Sequence, residues 1–226
     1  PSLVGSEMCI RDSYYIVNGT KSFISGGGYS DVYVTMVRTG DKSSAGISTL
    51  MIEKDSPGIS FGAQEKKMGW NSQPTAQVIF EDCRVPVKNL LGNEGDGFKI
   101  AMKGLDGGRL NIAACSLGTA QSAFERAVEY VGDREQFGKK IQDFQSIQFK
   151  LADMATELEA SRLMLRSAAA KVDENAPDKT KSAAMAKRFV TDLGFKIVNE
   201  ALQIHGGYGY LKAVSYTHLR AHETRI

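Results

Sequence analysis

Three short segments combine charged or amide side chains with glycine in a way that core packing alone does not require. The first is Leu105-Asp106-Gly107-Gly108-Arg109, preceded by Gly104. A glycine inside a helix costs about 1 kcal/mol relative to alanine. Glycines at 104, 107 and 108 in a helical pattern therefore imply that a ligand approaches the backbone closely or that side-chain space is left empty. A helix crossing would explain the glycines but not the acid and the base beside them. The second segment is Arg134-Glu135-Gln136-Phe137-Gly138, at the end of a helical pattern. A guanidinium in such a turn can bind a pyrophosphate through charge-assisted hydrogen bonds, or simply complement the helix dipole. Phe144 and Gln145 follow at the next helix start, where backbone N–H groups favour phosphate oxygens. The third is Gln203-Ile204-His205-Gly206-Gly207-Tyr208-Gly209-Tyr210. A glycine helix stop explains part of it. A phosphate loop is excluded, because no strand precedes it and no Gly-Lys-Ser/Thr follows. His205 alone reads as a packed or hydrogen-bonded residue rather than a base or a ligand.

Composition narrows the chemistry. The chain has 226 residues, 42% hydrophobic and 24% charged, enough for a core and one or two domains. No apolar run is long enough to span a bilayer. A formal charge of +2 gives no electrostatic case for nucleic acid. Cys9, Cys83 and Cys115 lack metal-ligand spacing, and neither a zinc site nor a disulfide framework is expected. His218 and His222 are four apart but lack the glutamate of a metalloprotease helix. No metal is expected.

The elements that must carry these segments are of two kinds. From Tyr14 to about Leu91 the pattern is β. Tyr15-Ile16-Val17 leads into Asn18-Gly19, a hairpin-turn dipeptide, with a return strand at 21–25. Further strands are expected at 31–38, 47–53 and 77–85. Ser22-Phe23-Ile24-Ser25 reads on its own as an ordinary strand with one inward aromatic. After Gly92 the apolar spacing becomes helical. Long helices are expected from Phe98 to Val131, from Phe144 to Val172 with Asp143 as cap, and from Pro177-Asp178 to the glycines at 206–207. The fold class is α+β: a partial middle β-barrel or sandwich domain over 14–91, then a partial antiparallel helical bundle over 92–213 that lacks a fourth partner.

The two ends share no pattern with what lies between. Residues 1–13, PSLVGSEMCIRDS, and 214–226, VSYTHLRAHETRI, resemble translated sequencing-adapter read-through and are set aside from fold reasoning as a fusion scar would be. The alternative is real, poorly ordered tails.

On the three segments and the Ser22–Ser25 strand, residues 14–212 resemble the acyl-CoA dehydrogenase family, truncated at both ends. The resemblance implies FAD and a CoA thioester. Phe23 would pack on the flavin ring, with Ile24 beside it and Ser25 contacting the hydride-accepting nitrogen; many relatives have Trp and Thr at 23 and 25. Arg134, Gln136, Phe137, Phe144, Gln145, Gln203, Gly206 and Gly207 would reach FAD, those of the Arg134 turn typically that of a neighbouring subunit. Asp106 would bond the pantetheine arm, Gly107 and Gly108 would leave room for the acyl group, and Arg109 would brace the floor of the site. The implied reaction is α,β-dehydrogenation of a short branched acyl-CoA of valine breakdown. A straight short-chain substrate, or an oxidase or monooxygenase on the same fold, are the alternatives. An oligomerising bundle without enzymatic activity is the reading from outside enzymology. The catalytic base, a glutamate, is expected beyond residue 213. Some relatives carry a glutamate where Gly108 stands, and an acidic residue is expected where Ala213 stands. The chain taken alone is therefore expected to be inactive. The resemblance further implies a homotetrameric parent, electron-transfer flavoprotein as partner, and a mitochondrial matrix or bacterial cytoplasmic location.

Overall fold

The structure is a computed structural model that describes residues 8–11 and 13–211, with side chains from residue 13 onward. Ala213, His218, His222, the segment 214–226 and the side chain of Cys9 lie outside the described residues. The chain divides into two compact units, Pro1–Gly104 and Leu105–Ile226, and the division falls inside the first long helix.

The first unit is built on two antiparallel sheets. One has the order β1 (Met8–Arg11), β2 (Tyr14–Ser25), β6 (Thr75–Pro86), β5 (Ile59–Phe61). The other has the order β3 (Val32–Arg38), β4 (Ile47–Glu53), β7 (Leu90–Leu91). Alternate residues of each strand point inward. Tyr15 and Val17 of β2, Tyr33 and Val37 of β3, Leu50 and Ile52 of β4, and Val78, Phe80, Cys83 and Val85 of β6 form one shared core. Met8–Arg11, part of the segment set aside in the sequence reading, pairs with Tyr14–Val17.

Asn18-Gly19 is not a hairpin turn. β2 runs through it and pairs with β6, with register shifts at Val17/Gly19 and at Lys21/Ile24. The Asn18 side chain accepts from Asp82 N–H at 2.7 Å and donates to its carboxylate at 3.1 Å. The turn dipeptide thus serves as a bulge. Its partner strand is too distant in sequence for local turn chemistry to reveal.

The second unit holds most of α1 (Gly97–Asp133), followed by α2 (Gln145–Asp173) and α3 (Lys179–Ile204). Ala120, Ala123, Ala127 and Val131 of α1 pack on Met154 and Leu158 of α2 and on Ile197, Val198, Ala201 and Ile204 of α3. The ion pairs Lys150–Glu200 and Lys196–Glu157 tie α2 to α3 in antiparallel register. Asp106–Thr180 and Tyr130–His205 set α1 parallel to α3. The helices run up, down, up. Leu163, Met185 and Phe195 remain exposed on the outside. The N-cap of α2 is Phe144, not Asp143, and it offers no side-chain acceptor.

Candidate functional site

The second unit contains a cleft of about 460 Å³, and its lining joins two of the three segments. Tyr130, Arg134, Gln136 and Ile141 form one side, and Ile204 to Tyr208 with Leu211 the other. α1 delivers the first set. Beyond its last turn the chain makes a two-stranded hairpin, β8 (Glu135–Gln136) and β9 (Lys139–Lys140), with Phe137-Gly138 as the turn. Both turn residues have positive φ, 54° and 80°, the geometry that suits strand twist in a two-residue loop. For glycine this is free. For phenylalanine it costs about 1–2 kcal/mol, and Phe137 is 92% exposed, so no burial offsets the strain. Its ring meets Phe144 edge to face, centroids 6.3 Å apart.

α3 delivers the other side. After Ile204 a short 3-10 turn, Gly206–Tyr210, caps the helix. Cβ atoms built on Gly206 or Gly207 would meet nothing within 4 Å among the described residues, which leaves bare backbone beside the cleft. Gly209 serves packing instead, because a Cβ would lie 2.6 Å from the Leu202 carbonyl. His205 is buried, stacks on Tyr130 at 4.2 Å, and its Nδ1–H donates to the Ala201 carbonyl at 2.8 Å. Burial pushes its imidazole below the usual histidine range, although the bond to Ala201 opposes this. Stacking and hydrogen bond together make it a fixed wall of the cleft. Tyr208 lies under the Arg134 guanidinium, 5.3 Å from ring centroid to Cζ. Arg134 makes no ion pair among the described residues, which leaves its donors to face the cleft.

Gln203 is exposed and does not line the cleft. Phe144 reaches the turn only through Phe137, and Gln145 is exposed at the start of α2, where the N-cap leaves the first N–H groups without a side-chain acceptor. Among the described residues no aspartate or glutamate lines the cleft. A guanidinium without a carboxylate partner, bare glycine backbone and aromatic faces are the chemistry a flavin dinucleotide's phosphates and rings require, so the residues present fit FAD.

Asp106 and Arg109 do not join this cleft. They lie near the other end of α1, about 35 Å from Tyr130 along the helix at 1.5 Å per residue. Asp106 is buried and pairs with Arg109 at 2.8 Å. Among the described residues no atom lies within 4 Å of a Cβ built on Gly107 or Gly108, so no crossing of the described helices accounts for them.

In the first unit Phe23 and Ser25 are exposed, while Ile24 packs on the core. Phe23 is not the inward aromatic of an ordinary strand: it has φ 59° at the second bulge of β2 and is 72% exposed. The following turn is fastened from several sides. Gly26 N–H donates to Pro74 O at 2.8 Å, Gln64 Nε2 donates to Gly27 O at 2.8 Å, and the Tyr33 hydroxyl donates to Gly26 O at 3.0 Å. Lys67 donates to the carbonyls of Trp70 and Gln73 and to Thr75 Oγ1, which holds the neighbouring loop. Sequence reasoning missed Gln64 and Lys67, since neither stands in a recognisable motif. Among the described residues no group of side chains could hold a metal ion, and no helix is long and apolar enough to cross a membrane.

The sheets, bundle and cleft define an acyl-CoA dehydrogenase architecture, and the chain belongs to that family: residues 3–83 match its middle domain and 95–224 its C-terminal domain. It is similar to the mitochondrial isobutyryl-CoA dehydrogenase of Dictyostelium discoideum, 58% identical over 200 residues, covering 88% of this chain and 48% of that protein. Among solved structures it resembles butyryl-CoA dehydrogenase of Megasphaera elsdenii, 42% identical with TM-score 0.93, over 96% of this chain and 57% of the other. It also resembles a chain from work on the electron transferring flavoprotein of Acidaminococcus fermentans, 45% identical with TM-score 0.92, over 97% of this chain and 58% of that one. The chain thus spans about half the length of the curated relative.

Proposed function

We propose that this chain is the middle and C-terminal part of an FAD-dependent dehydrogenase that introduces an α,β double bond into a short branched acyl-CoA, with isobutyryl-CoA as substrate. The observation that carries the reading is the cleft in which Arg134 and Gln136 face Gly206, Gly207 and Tyr208. When bound, FAD accepts the β-hydride. Arg134 would hold a phosphate of FAD through charge-assisted bonds, and the open backbone at Gly206-Gly207 would let the dinucleotide approach closely. Phe137 would offer its ring to the same cofactor. Gln136, Phe144 and Gln145 would supply polar and aromatic contacts around it, and Gln203 would do so from the end of α3. Phe23, Ile24 and Ser25 would border the flavin ring, with Ile24 anchoring the strand in the core.

The separation of the Asp106–Arg109 end of α1 from the Arg134 end favours an oligomer in which each end serves a different copy of the cofactor, consistent with a homotetramer. Gly107 and Gly108 would give the acyl group room beside Arg109. The base would be a glutamate beyond residue 213, so the described residues bind and align rather than abstract the proton. Electrons would pass to an electron-transfer flavoprotein, and similarity to a mitochondrial relative supports the matrix in a eukaryotic source. A butyryl-type substrate is the second reading, favoured by the likeness to the Megasphaera enzyme.

The test titrates FAD into the purified chain and follows flavin fluorescence. Saturable binding that Arg134→Ala weakens about tenfold or more, the loss of a hydrogen bond to a charged group, supports the reading. Equal binding by both proteins refutes the cleft as the cofactor site. Calorimetry with isobutyryl-CoA and butyryl-CoA then ranks the two substrates.

A further inference from the structure

We infer that Asp106 is the centre of an intramolecular clamp, and that Thr180 is a positioning residue acting through it on Arg109. What Arg109 then meets rests on the thioester reading above; the clamp itself does not.

Both oxygens of the Asp106 carboxylate are already engaged. Oδ1 accepts from Arg109 Nη1 at 2.8 Å, and Oδ2 accepts from Thr180 Oγ1 at 2.7 Å. The residue is 6% exposed, so the pair of bonds is held away from bulk water. The Arg109 side chain is 31% exposed, and Asp106 is its one hydrogen-bond partner among the described residues, so its other N–H groups are the donors presented outward.

Helix geometry explains the arrangement. Residues three apart share a face, so Asp106 and Arg109 lie together. Gly107 and Gly108 fall about 100° and 200° around the axis from Asp106. They look into open space. One side of this turn is closed by the clamp and the other is bare. Glycines weaken the helix here, and a turn weakened for access needs a fixed point. Thr180 supplies it from the first turn of α3, 74 residues along the chain. Without that hydroxyl the carboxylate can swing about its Cβ–Cγ bond and carry the guanidinium with it. A carboxylate held from two sides fixes the guanidinium in one orientation.

The test uses the full 226-residue chain and isobutyryl-CoA, with dissociation constants from calorimetry. Thr180→Val should weaken binding about tenfold, in the range set by losing a hydrogen bond to a charged group. Thr180→Ser, which keeps the hydroxyl, should stay within about twofold of the parent. Asp106→Asn should weaken binding about as much as Thr180→Val, and the double variant no more than either alone, because both break one unit. The proposal is overturned if Thr180→Val binds like the parent, if Thr180→Ser is as weak as Thr180→Val, or if the two losses multiply. If Asp106→Asn fails to fold, the Thr180 pair decides alone. If the parent chain binds no thioester, the proposed function fails, and the clamp is judged by urea unfolding. There the double-variant cycle must show coupling for the clamp to stand, and additive effects would sink it.

Discussion

Replacing Phe137 by asparagine should stabilise the protein while weakening its hold on flavin. Phe137 occupies the first central position of a two-residue hairpin turn with φ 54°, and Gly138 follows with φ 80°. An L-residue with a bulky side chain pays about 1–2 kcal/mol for left-handed backbone. Asparagine tolerates that region and is preferred before glycine in such turns. Loss of the ring costs little, because it is 92% exposed and its one aromatic neighbour among the described residues is Phe144, edge-on at 6.3 Å. Such a pair contributes about 0.5–1 kcal/mol at most when this exposed. The balance is a gain of about 0.5–1 kcal/mol, read as a higher urea midpoint at unchanged slope. If the ring is displayed for the cofactor, flavin affinity should fall by about tenfold, the scale of one lost aromatic stack. A variant that is less stable than the parent refutes the strain argument. A variant that is more stable and binds flavin unchanged refutes the functional one.

Gly107→Ala should raise stability by up to about 1 kcal/mol, since helix propensity improves and the new methyl meets open space; isobutyryl-CoA affinity, measured by calorimetry, should fall if that space is the ligand's. His205 is held below its ordinary pKa by burial. The unfolded chain therefore takes up a proton first, and stability should decline as pH falls below about 6.5. Urea midpoints from pH 7.5 to 5 should show that slope, and His205→Gln should remove its share of it. The Tyr15 phenol, buried and donating to Glu94 at 3.0 Å, is pushed up to about 12. Its contribution to stability should be intact below about pH 10 and disappear as pH rises through the folded value. Absorbance titration at the phenolate band should show one tyrosine titrating late, and Glu94→Gln should bring it earlier.

How much of this was legible in advance depended on the range of the interaction concerned. Apolar spacing located the three long helices within a few residues, because a 3.6-residue period is a local property of the chain. Strand Ile47–Glu53 was read at its true bounds for the same reason. The Asn18-Gly19 turn was misread: its preference is real, but the partner at Asp82 overrode it. The glycine-rich end of α3 and the Arg134 turn were both visible as polar-and-glycine spots, through composition that core packing does not explain. Whether they met was not visible. That required α1 and α3 to run parallel, so that Tyr130 stacks on His205 and the ends of the two helices close on one cleft.

Asp106 and Arg109 show the same division from the other side. Their spacing put acid and base on one helical face in sequence alone. Only the packing of α3 brought Thr180 to the carboxylate and closed a buried junction with Arg109. Residue type and short spacing thus set the kinds of chemistry this chain can hold, since both are written within a few turns or strands. The tertiary structure decided which groups face a ligand and which face each other, because contacts across 70 or more residues depend on packing that no local pattern encodes.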